Sequence, residues 1–224
     1  YSAAIEIKEE KIVFDIEYKG GNTIVLSGKK TTIITDPKLS LIGLKDAKTT
    51  GCVELATEDR FAVKADGAKL VVNGPGEYEI GDFVIKGIAA VRHLDSGSNE
   101  KLDTIYRVEC GNVAIGVIGN IEPKLNDDQL ENLGVIDILI VPVGGSGYTL
   151  DATSAVALVR TISPKVVVPI HYADSGISYE VPQDSAEVFV KEMGAPVENV
   201  SKLKVKNDSS LPTVLTTYIL SRTR

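Results

Sequence analysis

The chain has no tryptophan, one methionine, two cysteines and two histidines among its 224 residues. Cys52 and Cys110 lie far apart, which excludes a disulfide framework and a CxxC metal pair, so both are expected as reduced thiols in a cytoplasmic protein. No apolar run is long enough to cross a membrane: "VIDILIVPV" at 135–143 is about half of the roughly 20 residues a spanning helix needs. The first stretch, "YSAAIEIKEEK", lacks a basic segment followed by an apolar one, so no secretory signal is expected there. Acidic residues exceed basic ones, 31 against 24, for a net charge of −7. A broad basic surface is therefore missing, and nucleic acid is not an expected partner. The one basic concentration, "SKLKVKN" at 201–207, alternates lysine with apolar residues as a half-exposed strand does. GxGxxG, a lysine-bearing phosphate loop and a GxSxG elbow are all lacking, and Ser27, Ser40 and Ser146 have no neighbouring histidine. Dinucleotide binding, a phosphate loop and serine-hydrolase chemistry are excluded on those grounds.

What remains is an ordinary globular composition, 43% hydrophobic and 25% charged, expected as one domain over residues 1–224. The first 120 residues carry short or alternating apolar runs, punctuated by Gly20-Gly21, Gly28-Lys29-Lys30, Gly81-Asp82 and Gly111-Asn112 as hairpin turns. The second half changes character. Helices are expected over 126–134, 151–162 and 182–194, started by Asn126 or Asp127, by Asp151 and by Pro182, with Gly134 and Gly194 ending the first and third. Strands "IDILIVPV" and "KVVVPI" flank the middle helix and make a βαβ unit, with His171 just beyond its second strand. Ligands gather at such strand ends, and the loop "PVGGSGYTLDA" at 142–152 reaches the same end. Its Gly144, Gly145 and Gly147 allow close backbone approach, and the helix that follows could attract an anion. Near the C-terminus, "LPTVLTTYIL" at 211–220 is an uncharged strand that either closes its own sheet or pairs with a second copy as a homo-oligomer.

His171 ends an apolar strand, where an imidazole serves as a metal ligand, as a proton carrier or simply as a packed side chain. The ordered set "TDPKLSLIGL", "NGPGEYEIGDFVIKGI", "DTIYRVE", "VIDILIVPVGGSGYTLDA" and "PKVVVPIHY" resembles the metallo-β-lactamase superfamily, in its branch of Zn-dependent hydrolase-like proteins related to ascorbate-phosphate lactonases. The resemblance spans nearly the whole chain. It implies an α/β, four-layer αββα sandwich with a metal cleft at one edge, and the Asp36-Pro37 turn as a loop-fixing element.

The chemistry of that family rests on a His-x-His-x-Asp-His motif that holds two metals around a water. Here "GCVELATEDRFAV" at 51–63 stands in its place, with Ala56, Glu58, Arg60 and Phe61 at the ligand positions. Asn120, in "IGN", stands where the family has a bridging aspartate, while His93 and His171 match two family ligand positions. The resemblance thus implies a vestigial metal set of His93, His171, Asn120 and Glu58, no catalytic residue and no cofactor. It implies a ligand cleft formed by His93, Asn120, Gly144, Gly145, His171 and Tyr172. The functional expectation is a metallo-β-lactamase-fold binding or assembly module. The alternative is a metal-dependent hydrolase with zinc, manganese or iron on His93, His171 and a carboxylate from Glu58, Asp59 or Asp95. Read blandly, "TEDR" is a solvated acidic turn in which Glu58 or Asp59 pairs with Arg60.

Overall fold

Each glycine-marked break in the first half turns a hairpin, and the strands so joined belong to two sheets. The structure is a computed structural model that describes residues 14–93 and 102–223. The first half contributes β1 (Phe14–Gly20), β2 (Thr23–Ser27), β3 (Thr32–Thr35), β4 (Val53–Leu55), β5 (Leu70–Val72), β6 (Gly76–Ile80), β7 (Phe83–Val91), β8 (Leu102–Cys110) and β9 (Val113–Val117). The second half runs α1 (Asp127–Leu133), β10 (Ile138–Pro142), α2 (Ala152–Ile162), β11 (Val166–Ile170), α3 (Ala186–Met193), β12 (Val197–Val200), β13 (Leu203–Val205) and β14 (Thr216–Leu220).

One sheet has six strands in the order β13-β1-β2-β3-β4-β5, and the other has eight in the order β12-β14-β11-β10-β9-β8-β7-β6. Both are mixed. Antiparallel hairpins give way to parallel pairing at β3–β4 in the first and at β9–β10 in the second. Strand β1 reads with period two, Phe14, Ile16 and Tyr18 facing the core between the sheets and Asp15, Glu17 and Lys19 facing outward. Strands β10 and β11 are buried on both faces. Ile138, Ile140, Val166 and Val168 join the core between the sheets, whereas Leu139, Val141 and Val167 lie under the helices. Each such side chain contributes on the order of 1.5–3 kcal/mol by leaving water. Helices α1, α2 and α3 pack on β7, β10 and β11 of the eight-stranded sheet. The result is the metallo-β-lactamase type of sandwich.

The expected βαβ unit is β10-α2-β11, with the two strands parallel in register Ile138 to Val166. Asn126 and Gln129 form a capping box on α1, and Asp151 caps α2 by accepting from the Ser154 amide. That carboxylate occupies the α2 N-terminus, so the anion site expected there is corrected. The third helix also begins later than expected, at Ala186 rather than Pro182. Residues 182–184 bind the glycine loop instead: Ser146 Oγ donates to the Pro182 carbonyl, and the Asp184 amide to the Gly144 carbonyl. Strand β14 lies between β12 and β11 and is paired on both sides, so residues 216–220 of that segment close their own sheet. Among the described residues no helix is long and apolar enough to cross a membrane.

Candidate functional site

Several strands end at one rim of the sandwich, and the segments that follow them deliver polar side chains there. Asp36 follows β3, Glu58 and Arg60 follow β4, Arg92 follows β7, Asn120 follows β9, and His171 follows β11. Asp36 and His171 both adopt left-handed backbone conformations, with φ of 42° and 50°. A non-glycine residue there costs on the order of 1–3 kcal/mol and persists where the surroundings over-determine it. For His171 those surroundings include its own amide, which donates to the Gly21 carbonyl at 2.9 Å and so ties β11 to the β1–β2 turn in the opposite sheet.

Asp36 fixes the loop that carries Glu58. Its Oδ1 accepts from the Thr57 amide at 2.7 Å and its Oδ2 from the Thr57 hydroxyl at 2.8 Å. Burial pushes its carboxyl up to about 7, an effect that these two bonds oppose and the charge of Glu58 strengthens. Glu58 is 6% exposed and sits between two guanidinium groups, 2.9 Å from Arg60 Nε and 3.1 Å from Arg92 Nε. The solvated turn expected at "TEDR" is therefore corrected in part: the Glu58–Arg60 pair forms, but Glu58 is buried. Arg60 also donates to the Tyr148 hydroxyl at 2.8 Å and lies over the ring of Phe61 at 4.7 Å.

Asn120 is the hub beneath the rim. Its Oδ1 accepts from Asn22 Nδ2 at 3.3 Å and from His171 Nδ1 at 3.2 Å, while its Nδ2 donates to Glu58 Oε1 at 3.5 Å. An amide oxygen can only accept, so His171 carries its proton on Nδ1 and keeps Nε2 as an acceptor. Burial, helped by the charge of Arg60, pushes the His171 imidazole down to about 3, so the ring is neutral. It packs edge-on to Tyr148 and tilted against Tyr179, with centroids 5.4 and 4.7 Å away. Asp103 lies fully buried nearby, and neither carboxyl oxygen makes a hydrogen bond of ordinary geometry. Burial, with the charges of Glu58 and Asp36, pushes it well above the usual carboxylate range, tempered by the amides of Thr104 and Asn120.

Above this network opens a cleft lined by Asn22, Asp36, Lys38, Arg60, Tyr148, His171, Tyr179 and Gln183 among others. His171 lines it as expected. Asn120 lies underneath, and Gly144 is packed so closely against the His171 carbonyl and Gln183 that no Cβ fits. Gly145 is buried behind the same loop. Tyr172 is corrected: it turns away from the cleft and packs on Tyr18 at 5.6 Å in the core between the sheets. His93 donates its amide to the Asn120 carbonyl at 2.6 Å, but its Nδ1 lies 3.0 Å from the Gly147 carbonyl and its ring is not in the cleft. Asp59 is exposed, paired with Lys64 at 2.7 Å. Asp95 lies outside the described residues. Sequence reasoning missed Asn22, Arg92, Asp103, Tyr148 and Tyr179; Tyr148, set in "GGSGYT" beside the glycines, is the one that a sequence signal marked.

A family model described as the Beta-lactamase superfamily domain matches residues 15–171. The chain belongs to that superfamily. Comparison with curated proteins gave no match. Among solved structures, it is similar to a protein assigned as a Zn-dependent hydrolase of the metallo-β-lactamase superfamily from Thermotoga maritima, at 21% identity and a TM-score of 0.72, covering 92% of this chain and 99% of that one. It is also similar to Igni18, a metallo hydrolase from Ignicoccus hospitalis, at 14% identity and a TM-score of 0.64, covering 95% and 97%. A third likeness is CmlA, a diiron β-hydroxylase from Streptomyces venezuelae, at 13% identity and a TM-score of 0.60, covering 95% of this chain and 53% of that one.

These comparisons correct the expectation of no cofactor, because the solved chains that share the fold are metal hydrolases and a diiron enzyme, so metal is the cofactor class they suggest. The side chains present do not fit the family's dinuclear centre. Glu58 is held between two guanidinium groups, Asp36 is spent on Thr57, and the Nδ1 atoms of His93 and His171 point to different partners. Among the described residues no three His, Cys, Asp or Glu side chains form a group able to hold a metal ion.

Proposed function

We propose that this chain is a non-catalytic binding module of the metallo-β-lactamase fold, which seats a small molecule in the cleft above His171. One observation carries the reading. The positions that the resemblance assigns to metal ligands engage one another: Arg60 is ion-paired to Glu58 and lies over Phe61, and the Arg60 guanidinium continues to Tyr148. A permanent cation in that position opposes a second cation and gives the floor a fixed shape. The walls of the cleft above it mix aromatic with polar groups, the kind of lining that small-molecule sites have.

A second reading is a metal-dependent hydrolase with an altered site, favoured by the attachment of both histidines to one residue, Asn120. Melting curves of wild type and His171→Gln, each with and without zinc or manganese, separate the two. A metal shift that is the same in both proteins supports the binding module. A metal-dependent rise in wild type that His171→Gln abolishes overturns it, because binding to the folded state alone stabilises that state.

A further inference from the structure

A residue in the wall of the cleft carries a buried polar atom that the protein leaves without a partner. Asn22 is 7% exposed and lines the cleft; its Nδ2 is spent on Asn120, and its Oδ1 has no hydrogen-bond partner. Buried polar atoms are paired as a rule, so such an atom in a binding cleft asks for a donor from a ligand. Gln183 repeats the pattern, with an unpartnered Oε1 among the same lining residues. His171 adds a third acceptor in Nε2, since its Nδ1 proton goes to Asn120. The walls are aromatic: Tyr148, Tyr179 and Phe61 line the cleft together with the imidazole. The charge of the cleft is balanced rather than positive. Arg60 is paired with Glu58, and Lys38 shares the lining with Glu180. Nothing in that balance selects an anion.

We infer that the cleft takes a neutral, planar nitrogen heterocycle carrying N–H donors, stacked against the tyrosines and read by the acceptor of Asn22. The inference rests on the binding-module reading and names its ligand class. Aromatic faces hold any flat ring, so the walls give affinity without much choice. Choice comes from the acceptors. A ring of the same shape without N–H groups leaves Asn22 Oδ1 desolvated and unpaired, which is the larger penalty.

The probe is 2-aminopurine, whose fluorescence is quenched on stacking and is not obscured by tryptophan, which the chain lacks. Titration of wild type should give saturable quenching. Adenine should displace the probe, whereas caffeine, a methylated purine without an N–H donor, should not. Asn22→Leu should weaken binding of the probe at least tenfold. Circular dichroism establishes that each variant folds, and if Asn22→Leu does not, the adenine-against-caffeine arm decides. No quenching in wild type up to millimolar probe, equal competition by caffeine, or undiminished binding in a folded Asn22→Leu overturns the inference. Absent quenching together with the same metal shift in wild type and His171→Gln removes the ligand class alone, whereas a metal shift that His171→Gln abolishes removes the binding module as well.

Discussion

The imidazole of His171 is held by Asn120, Nδ1 to Oδ1 at 3.2 Å, and the same amide oxygen takes Asn22 Nδ2 from the opposite sheet. Asn120 is thus the member of the network whose removal should be felt on three sides. Asn120→Leu leaves a ring N–H and an amide N–H without an acceptor, and takes one donor from Glu58, which keeps Arg60 and Arg92. Each buried orphan costs about 1–3 kcal/mol, so a total loss of roughly 3 kcal/mol or more is expected. His171→Gln, which can keep one hydrogen bond to Asn120, should cost only about 1–2 kcal/mol. Urea denaturation midpoints of the two variants check the order; an Asn120→Leu protein as stable as His171→Gln contradicts it.

Glu58 stands between Arg60 and Arg92 at 2.9 and 3.1 Å. Its carboxylate neutralises charge in a place where water does not reach it. Breaking a buried pair from one side is costly, about 3–5 kcal/mol, since the remaining charge is left in a poor solvent. Arg60 is partly exposed and can turn outward, so the lower end, about 3 kcal/mol, is expected for Glu58→Gln. Arg60→Met should cost less than half of that. Equal losses measured by thermal melting would show that the burial of Glu58 does not set the balance.

Two titrations pull stability in opposite directions with pH. Asp36, pushed up to about 7 chiefly by burial, keeps a proton that the unfolded chain releases near 3.8, so its share of stability falls as pH rises through that window. His171, pushed down to about 3 by burial and then by Arg60, stays neutral while the unfolded chain takes up a proton near 6.5. Its share is lost as pH falls below that value. Where the windows overlap, Asp36→Asn should make the stability profile steeper upward with pH than wild type, by about 1.4 kcal/mol per pH unit, and His171→Gln should tilt it downward by the same amount. Asparagine can keep both Thr57 contacts, donating to the hydroxyl and accepting from the amide. Denaturation profiles between about pH 4 and 6.5 that run parallel in all three proteins would show that neither group titrates in this way.

Gly144 offers a test of the loop rather than of the charges. Its Cα lies against the His171 carbonyl and the Gln183 side chain, and the site for a Cβ is already filled by backbone. Gln183 can move, but the carbonyl cannot move without shifting the strand end. Gly144→Ala should therefore cost about 1–3 kcal/mol as an overpacking change. The displacement should also weaken the bond between His171 and Asn120. A neutral result in thermal melting would mean that the strand end yields freely.

The periodic parts of this chain were legible from sequence, and the convergent parts were not. Strand β1, helix α1 and the β10-α2-β11 unit are local, written in alternation, in a capping box and in turn glycines. His171 was legible because a lone imidazole at a strand end stands out. Its neighbours were not. Tyr179 reaches it from the 174–185 loop, Tyr148 from the glycine loop and Asn22 from a hairpin about a hundred residues upstream of Asn120. Such contacts depend on which strand ends meet, which no local pattern encodes. Tyr172 failed for a related reason: adjacent residues at a strand end point to opposite sides, so the neighbour of a cleft residue faces the core.

Asn120 also carries the sharpest prediction, because one added charge should change the state of His171. In wild type nothing negative contacts the ring directly, and burial with the Arg60 charge holds it at about 3. Asn120→Asp places a carboxylate where the amide oxygen now accepts the Nδ1 proton. An opposite charge at hydrogen-bond distance favours the charged imidazole and works against desolvation, so the titration should move upward by one or more units. The same change takes the Asn120 donor from Glu58, which keeps its pairing with Arg60 and Arg92. With only two histidines in the chain, proton NMR resolves the ring signals without ambiguity, and His171→Gln assigns them. An unmoved His171 titration in Asn120→Asp would mean that the ring does not donate to residue 120.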